Sequence, residues 1–124
     1  MLSSRHRLRT SDDIRTTMRR GRRAGSRTVL AHVRFGARSP QEPVRVAFVV
    51  GKQVGDAVTR NTVKRRLRGV VAARLADIPG GTDLVLRALP ASARKSSAEL
   101  GSDVDKAFGR LSGASASSTP VALS

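Results

Sequence analysis

The chain has 124 residues and a mass of 13.2 kDa, a length that fits a single domain and is too short for a large two-domain enzyme. It contains 24 Lys and Arg against 9 Asp and Glu, which gives a formal net charge of +15, and it contains no Cys. The composition therefore excludes disulfides, thiolate metal sites and Cys nucleophiles, and it favours a polyanion as the partner.

The excess charge lies in the first part of the chain. Residues 1–74 contain 19 basic and 4 acidic residues, whereas residues 75–124 contain 5 of each. No apolar run approaches the roughly 20 residues that a membrane-spanning helix needs, and the start lacks the apolar stretch of a signal peptide. We therefore predict a cytoplasmic protein. With only His6 and His32 as histidines, we predict no metal site in the protein.

The first predicted element is a helix that Thr10 caps and Gly21 ends. Ile14 and Met18 are spaced i to i+4 and share one face of it. Strict alternation then predicts a strand over residues 28–35. Its two faces carry Val29, Ala31, Val33 and Phe35 on one side, and Leu30, His32 and Arg34 on the other.

A second run rich in β-formers, residues 44–50, predicts another strand, and the short loop before it favours an antiparallel hairpin with the first. Helical spacing of apolar residues over 56–76 predicts the longest helix, and Pro79-Gly80-Gly81 closes that segment. Residues 82–89, rich in Leu and Val, predict a third strand.

A last amphipathic helix is expected after Ser96, which forms a capping box with Glu99. Its apolar residues recur at helical spacing from Leu100 to Leu111. Residues 113–124 are nearly all Ser, Ala, Gly and Thr and lack such periodicity, so we predict one domain, 1–112, followed by a disordered tail. The element order αββαβα predicts a two-layer α+β sandwich with helices packed on a small sheet.

The most informative stretch is the start of the longest helix. Its polar residues Arg60, Asn61, Lys64, Arg65 and Arg68 fall within one sector of about 140°, while apolar residues face elsewhere. A charged helix face is often no more than a solvated surface, but such faces normally mix signs at i,i+4. Asp56 is the only carboxylate between Lys52 and Arg74, so a polyphosphate is the simplest partner.

The pattern Arg60-Asn61-x-x-Lys64-Arg65-x-x-Arg68, preceded by Lys52 and Gly55-x-Ala57-Val58, resembles the RNR motif of the bacterial ribonuclease P protein subunit. The surrounding residues agree with that family: Arg7-Leu8, Asp13-Ile14, Gly21 and Arg27. The resemblance covers about residues 3–111 and leaves out the tail.

The resemblance implies an accessory protein of a ribozyme. In that family the RNA subunit removes the 5′ leader of precursor tRNA by Mg²⁺-dependent hydrolysis, so the cofactor Mg²⁺ would be held by RNA and not by a protein site. The protein binds the RNA subunit and the leader, with no membrane or small-molecule substrate involved. The implied fold is a ribosomal-protein-like sandwich with a left-handed βαβ crossover through the basic helix, against the usual right-handed rule.

The resemblance also implies roles for individual residues. Arg60, Asn61, Lys64, Arg65 and Arg68 would contact the catalytic RNA, with Lys52 as a lesser candidate. The leader would lie in a cleft between the first helix and the sheet, where the family presents aromatic rings. Here the matching positions are Ile14, Met18 and His32, and aliphatic contact should recover only part of a stacking energy of about 1 to 3 kcal/mol per base.

Two other functions compete with this interpretation. A non-enzymatic RNA-binding protein of ribosomal type would share the fold class and the charge, and a DNA-compacting protein would bind without regard to the 2′-hydroxyl. Catalysis by the protein itself is disfavoured, because Asp12, Asp13, Glu42 and Asp56 are too dispersed to predict a paired acid and base.

Overall fold

The computed structural model describes residues 3–118, with side chains for residues 3–111. The helices of this part are α1 (Ser11–Arg20), α2 (Ala57–Ala72) and α3 (Ser97–Ser118), and the strands are β1 (Arg22–Gly25), β2 (Val29–Arg34), β3 (Arg45–Val50) and β4 (Asp83–Ala88). The predicted tail, 113–124, overlaps the end of α3 and from residue 119 lies outside the described residues, so its disorder stays a prediction.

The four strands form one mixed sheet in the order β1-β2-β4-β3. The β1–β2 and β2–β4 pairs are antiparallel, and β3 pairs in parallel with β4 after the chain has passed through α2. Two parallel neighbours cannot be joined by a tight turn, because the chain must first return to the end of the sheet where the first strand began. Helix α2 lies in that return. The predicted two-layer α+β sandwich is confirmed.

Two details of the predicted strands are wrong. The sequence does not predict β1, because two arginines, an alanine and a glycine lack the apolar alternation that marks a strand. The predicted hairpin between residues 28–35 and 44–50 does not form, because β4 inserts between β2 and β3 and pairs with both. The order of elements is thus αβββαβα.

The main core lies between one face of the sheet and helices α2 and α3. From the helices it contains the fully buried Val63, Leu67, Leu100 and Val104, and the sheet contributes alternate residues of each long strand. Those strand residues include Val29, Ala31, Val33, Val46, Leu84 and Leu86. The alternation predicted for this strand is therefore confirmed for Val29, Ala31 and Val33, whereas Phe35 lies beyond the strand and is 41% exposed.

The opposite face of the sheet is covered only in part. There Leu8, Ala47 and Val85 form a small second cluster against which Ile14 and Met18 of α1 pack. A network of ions fixes the first turns of α1 to this face: Arg45 contacts Asp13 at 3.4 Å and also the buried Asp83 at 3.2 Å. Helix α1 therefore lies across one end of the sheet.

The helix starts follow the predicted caps. Thr10 Oγ1 accepts a hydrogen bond from the Asp13 amide at 3.2 Å. Ser96 and Glu99 bond reciprocally, each side chain accepting from the other residue's amide at 3.1 Å. Such caps satisfy amides that have no partner inside the helix, which is why these short patterns locate helix starts well.

A salt bridge joins the segment after α2 to α3 and gives a prediction on acid stability. The Arg74 guanidinium donates to Asp105 at 2.6 Å, and this hydrogen bond holds the pKa of Asp105 below its ordinary 3.8. The pair therefore contributes stability above about pH 4 and loses it as the pH falls through the lowered pKa. Because the carboxylate is largely exposed, we expect Asp105→Asn to cost under about 1 kcal/mol at neutral pH.

Thermal unfolding of Asp105→Asn and the unmodified protein at pH 7 and pH 3 checks this prediction. The difference in melting temperature should shrink at the lower pH. An equal difference at both pH values would show that the substitution acts through packing and not through charge.

Candidate nucleic-acid interface

Helix α2 starts at a sharp, well-capped turn. Asp56 Oδ1 accepts from the Thr59 amide at 2.8 Å, and this bond lowers the pKa of Asp56. Gly55 has φ +156°, and a Cβ on it would come within 2.9 Å of the Thr59 side chain. Lys52 is exposed in the 3₁₀ turn just before, so it stands beside the positive end of the helix.

The structure brings the five predicted RNA-contact residues onto one side of α2. Asn61 and Arg65 are exposed at its centre, and the neighbouring cations are half-buried towards the body of the protein. Val63 and Leu67 are fully buried and hold the helix against the sheet. We call the set the α2 basic face: Arg60, Asn61, Lys64, Arg65 and Arg68.

The charge of the α2 basic face is not neutralised within the part of the chain that the structure describes. None of its four cations forms an ion pair there, whereas Arg15, Arg38, Arg45 and Arg74 each do. Asp56 at the cap interacts electrostatically with Arg60 of this face.

Arg60 has one buried donor that is unpaired within the described residues. Its Nε is buried and has no hydrogen-bond acceptor among the described residues. Buried donors are normally paired, because an unpaired one loses its hydration without replacement. An anion bound on this face would stabilise the charge of Arg60, which no ion pair within the described residues neutralises.

Arg66 differs from its neighbours. Its guanidinium donates to the Lys95 carbonyl at 2.7 Å and so ties α2 to the segment that leads into α3. Its position outside the basic sector follows from the helix period, and its contact gives it a structural role.

The predicted leader-binding residues lie between α1 and the sheet. Ile14 and Met18 are half-buried, so each keeps part of its side chain open to solvent. His32 lies deeper than the sequence suggests, at 3% exposure beneath α1, and its ring is not open for stacking. The structure therefore places all three together, with His32 beneath the surface.

The surroundings of His32 keep its ring neutral. Burial lowers its pKa, and the cations Arg87 and Arg23 lower it further, while the backbone of Met18 acts in the opposite direction. Neither ring nitrogen makes a hydrogen bond of standard geometry within the described residues. Protonating the ring in the fold is thus unfavourable, and its contribution to stability falls as the pH drops below its ordinary 6.5.

Three further side chains, which sequence reasoning does not single out, border this cleft. They are neighbours across the three long strands: Leu30 on β2, Arg87 on β4 and Val49 on β3. Their row lies next to the row formed by His32, Val85 and Ala47. All three are half-buried. Alternation within each strand is the sequence signal that puts them on the same face as His32. The sequence does not show that they form a row, because that depends on the order of the strands.

The chain is similar to known proteins over most of its length. A model of the family Ribonuclease P matches residues 2–112. A ribonuclease P protein component of Acidothermus cellulolyticus is 48% identical over 111 residues, which cover 90% of this chain and 92% of that protein. One of a Nocardioides species is 46% identical over 111 residues, with 90% and 95% covered.

The chain belongs to the ribonuclease P protein family. Its function is that of an accessory subunit of ribonuclease P, a ribonucleoprotein of tRNA processing, and the ribosomal alternative is not favoured. Two solved ribonuclease P proteins share its fold. That of Staphylococcus aureus has a TM-score of 0.73 at 17% identity, covering 86% of this chain and 94% of its own. That of Thermotoga maritima has a TM-score of 0.70 at 22% identity, covering 82% and 94%.

Neither a clustered metal site nor a membrane-spanning helix occurs in the part of the chain that the structure describes. No group of three or more His, Cys, Asp or Glu side chains there is arranged to hold a metal ion. No helix in the same part of the chain combines the length and apolarity that crossing a bilayer demands.

Proposed function

We propose that this protein binds the catalytic RNA of ribonuclease P through the α2 basic face and holds the 5′ leader of precursor tRNA in the cleft under α1. The RNA subunit carries out the hydrolysis in the cytoplasm and holds the Mg²⁺ that the reaction uses. The protein contributes affinity and position, and none of its side chains acts on the scissile bond.

One observation carries this proposal above all others. Four cations and an amide line one side of α2 without a single ion pair in the described residues. A face of this kind repels itself until a polyanion neutralises it, and guanidinium groups offer paired donors that match phosphate oxygens. Asn61 adds a side chain that both donates and accepts, which suits a 2′-hydroxyl.

The length of the face fits several phosphates. From Arg60 to Arg68 the helix rises about 12 Å, at 1.5 Å per residue, which is enough for two or three successive phosphates. Lys52 adds a charge in the turn just before the helix begins. The face therefore fits a folded RNA backbone.

Leader removal by the reconstituted enzyme tests the proposal. At low Mg²⁺, adding the protein to its cognate RNA subunit should increase the rate of leader removal, because the protein's cations replace part of the screening that Mg²⁺ supplies. The same protein without RNA should leave the precursor intact. No increase at any Mg²⁺ concentration would reject the proposal.

The shape and the lining of the cleft under α1 support its proposed role in leader binding. Ile14 and Met18 offer partly open apolar surface, Arg87 and Arg23 flank the buried His32, and the row of Leu30 and Val49 extends the floor. Bases of an unpaired strand would lie on the apolar surface while the flanking guanidinium groups meet phosphates.

Substituting Met18 tests the cleft. We expect Met18→Asp to lower the affinity of the holoenzyme for precursor tRNA about fivefold and to leave its affinity for mature tRNA unchanged, because only the precursor has a leader. Met18→Leu keeps the apolar surface and should keep the preference for precursor. Equal losses for both tRNAs would point to a general loss of structure and against leader binding.

A further inference from the structure

The molecule has a second basic surface, far from α2. Strand β1 is an edge of the sheet and pairs only with β2, whereas α2 packs near the other edge, against β3. Arginines lie in β1 and in the segments next to it. We call them, together with the aromatic ring at the end of β2, the β1-edge surface: Arg20, Arg22, Arg23, Arg34, Arg110 and Phe35.

A shallow depression lies at the centre of this surface, where α1 ends beside β2. Arg20, Arg34 and Phe35 line it together with Gly21, Arg22 and Val33. The close approach depends on Gly21, since a Cβ there would come within 2.5 Å of the Thr17 carbonyl and 2.7 Å of that of Val33. The glycine thus brings the arginines at the end of α1 next to the ring of Phe35.

The aromatic ring is open to solvent. Phe35 is 41% exposed, one of the two large apolar side chains that are exposed in the described part of the chain. Its other side contacts the body of the protein, where it borders a cavity that Phe108 also lines. An aromatic ring that is held by packing and partly exposed can stack with an unpaired base.

This edge is strongly basic, although Asp83 lies opposite Arg34 in the β2–β4 register and Asp77 and Asp105 line the cavity behind Phe35. The sequence contains no Asp or Glu between Asp13 and Glu42. No ion pair within the described residues involves Arg20, Arg23 or Arg34. Arg110 donates a hydrogen bond to the Gly25 carbonyl at 2.6 Å. The surface therefore attracts an anion, and the ring of Phe35 selects one with aromatic bases.

The position of the surface indicates which part of an RNA reaches it. Arg23 pairs with His32 across the β1–β2 register, so the surface begins where the cleft under α1 ends. Strand β3, against which α2 packs, is three strand spacings from β1, or about 14 Å. A single strand that leaves the cleft towards β1 meets the β1-edge surface and moves away from α2.

We propose that the β1-edge surface binds the distal, single-stranded part of the precursor's 5′ leader, with one unstacked base on Phe35 and its phosphates on Arg20 and Arg34. This rests on the proposed function, in which the leader occupies the cleft. It extends the leader path beyond the cleft and makes the length of the leader a determinant of affinity.

Precursors that differ only in leader length test the proposal. One carries a leader that ends within the cleft, and the other an unstructured leader long enough to pass β1. With the unmodified holoenzyme, the long leader should bind more tightly. The double variant Arg20→Ala with Phe35→Leu should lower the affinity for the long-leader precursor about tenfold and leave that for the short-leader precursor and for the RNA subunit unchanged.

Matched variants keep the result interpretable. Phe35→Tyr retains the ring and should retain the affinity, whereas Phe35→Leu alone retains the apolar contact with the protein and loses the stacking platform. Arg15→Ala removes an arginine of the same helix that Asp12 already neutralises at 3.0 Å, and it should change nothing. Melting temperatures show that each variant is folded.

The outcomes separate the two proposals. If the unmodified holoenzyme gains nothing from the long leader, or if the double variant loses equally with both leaders, the β1-edge surface does not bind the distal leader. A loss of affinity for the RNA subunit instead assigns this surface to that RNA and also overturns the inference. Failure of the unmodified protein to assist leader removal at all would reject the proposed function itself.

Discussion

Replacing Arg60 and Arg65 together by alanine is expected to weaken binding of the RNA subunit about a hundredfold. A hydrogen bond to a charged group contributes about 1.5 kcal/mol or more, which is about tenfold in affinity for each arginine. Arg65 is the exposed centre of the α2 basic face, and Arg60 has a buried Nε that lacks an acceptor in the described residues. Titration of labelled RNA subunit with each protein measures the loss.

The salt dependence of the same titration identifies the cause. Each phosphate contact adds roughly 0.7 to 0.9 to the slope of log K against log salt, so the double variant should flatten that slope by about 1.5. Arg15→Ala is the control, because it removes an arginine outside α2 that is 67% exposed and already paired. A loss of affinity with an unchanged slope would mean that the variant is damaged elsewhere and that this face does not meet phosphates.

The second large effect concerns stability. Asp83 is 2% exposed and accepts from Arg38 at 2.8 Å and from Arg45 at 3.2 Å, while Arg45 continues to Asp13 of α1. Removing Asp83 takes a buried carboxylate from two largely buried arginines, and because Arg45 keeps Asp13 and Arg38 keeps the more distant Glu42, the cost should be about 3 kcal/mol. We expect Asp83→Ala to lower the free energy of unfolding by that amount, measured by urea denaturation.

Two comparisons show whether the network acts as described. Asp83→Asn keeps the shape and removes the charge, so it should recover only a small part of the loss. Asp12→Ala breaks a pair whose carboxylate is 92% exposed and should cost under about 1 kcal/mol. Equal effects at Asp12 and Asp83 would contradict a special role for the buried network.

The network also links the fold to the leader cleft. It fixes the first turns of α1 against β3 and β4, and the position of α1 sets the height of the cleft above Val85 and Ala47. We therefore expect the Asp83 variants to weaken precursor binding in addition to stability, even though Asp83 does not line the cleft.

Local signals in the sequence predict most of the elements. The caps at Thr10 and Ser96 locate α1 and α3, because hydrogen bonds between near neighbours decide helix starts. Alternation in β2 assigns both faces of that strand correctly. The five residues of the α2 basic face are predicted as a set, since a helix of known start fixes which residues share a side.

What the sequence does not predict depends on contacts between distant segments. The pairing of β4 with both β2 and β3 cannot be read from either strand, and the edge strand β1 forms only because β2 offers it a partner. The burial of His32 follows from the placement of α1. The role of Asp83 depends on Arg45 and Arg38, which are 38 and 45 residues away from it in the sequence. A carboxylate at the start of an apolar strand is the one signal that could have indicated the network.

Tethered cleavage from α2 shows whether the α2 basic face lies against the RNA subunit. The chain contains no Cys, and Val58 is 74% exposed on α2 beside the basic face, so Val58→Cys accepts a radical-generating iron chelate without touching any proposed contact. Gln41→Cys, exposed in the loop between β2 and β3, is the control. In the assembled holoenzyme the probe at position 58 should cut the RNA subunit in one confined region that the probe at 41 leaves intact. Cleavage from position 41 with none from position 58 would show that α2 does not lie against the RNA subunit.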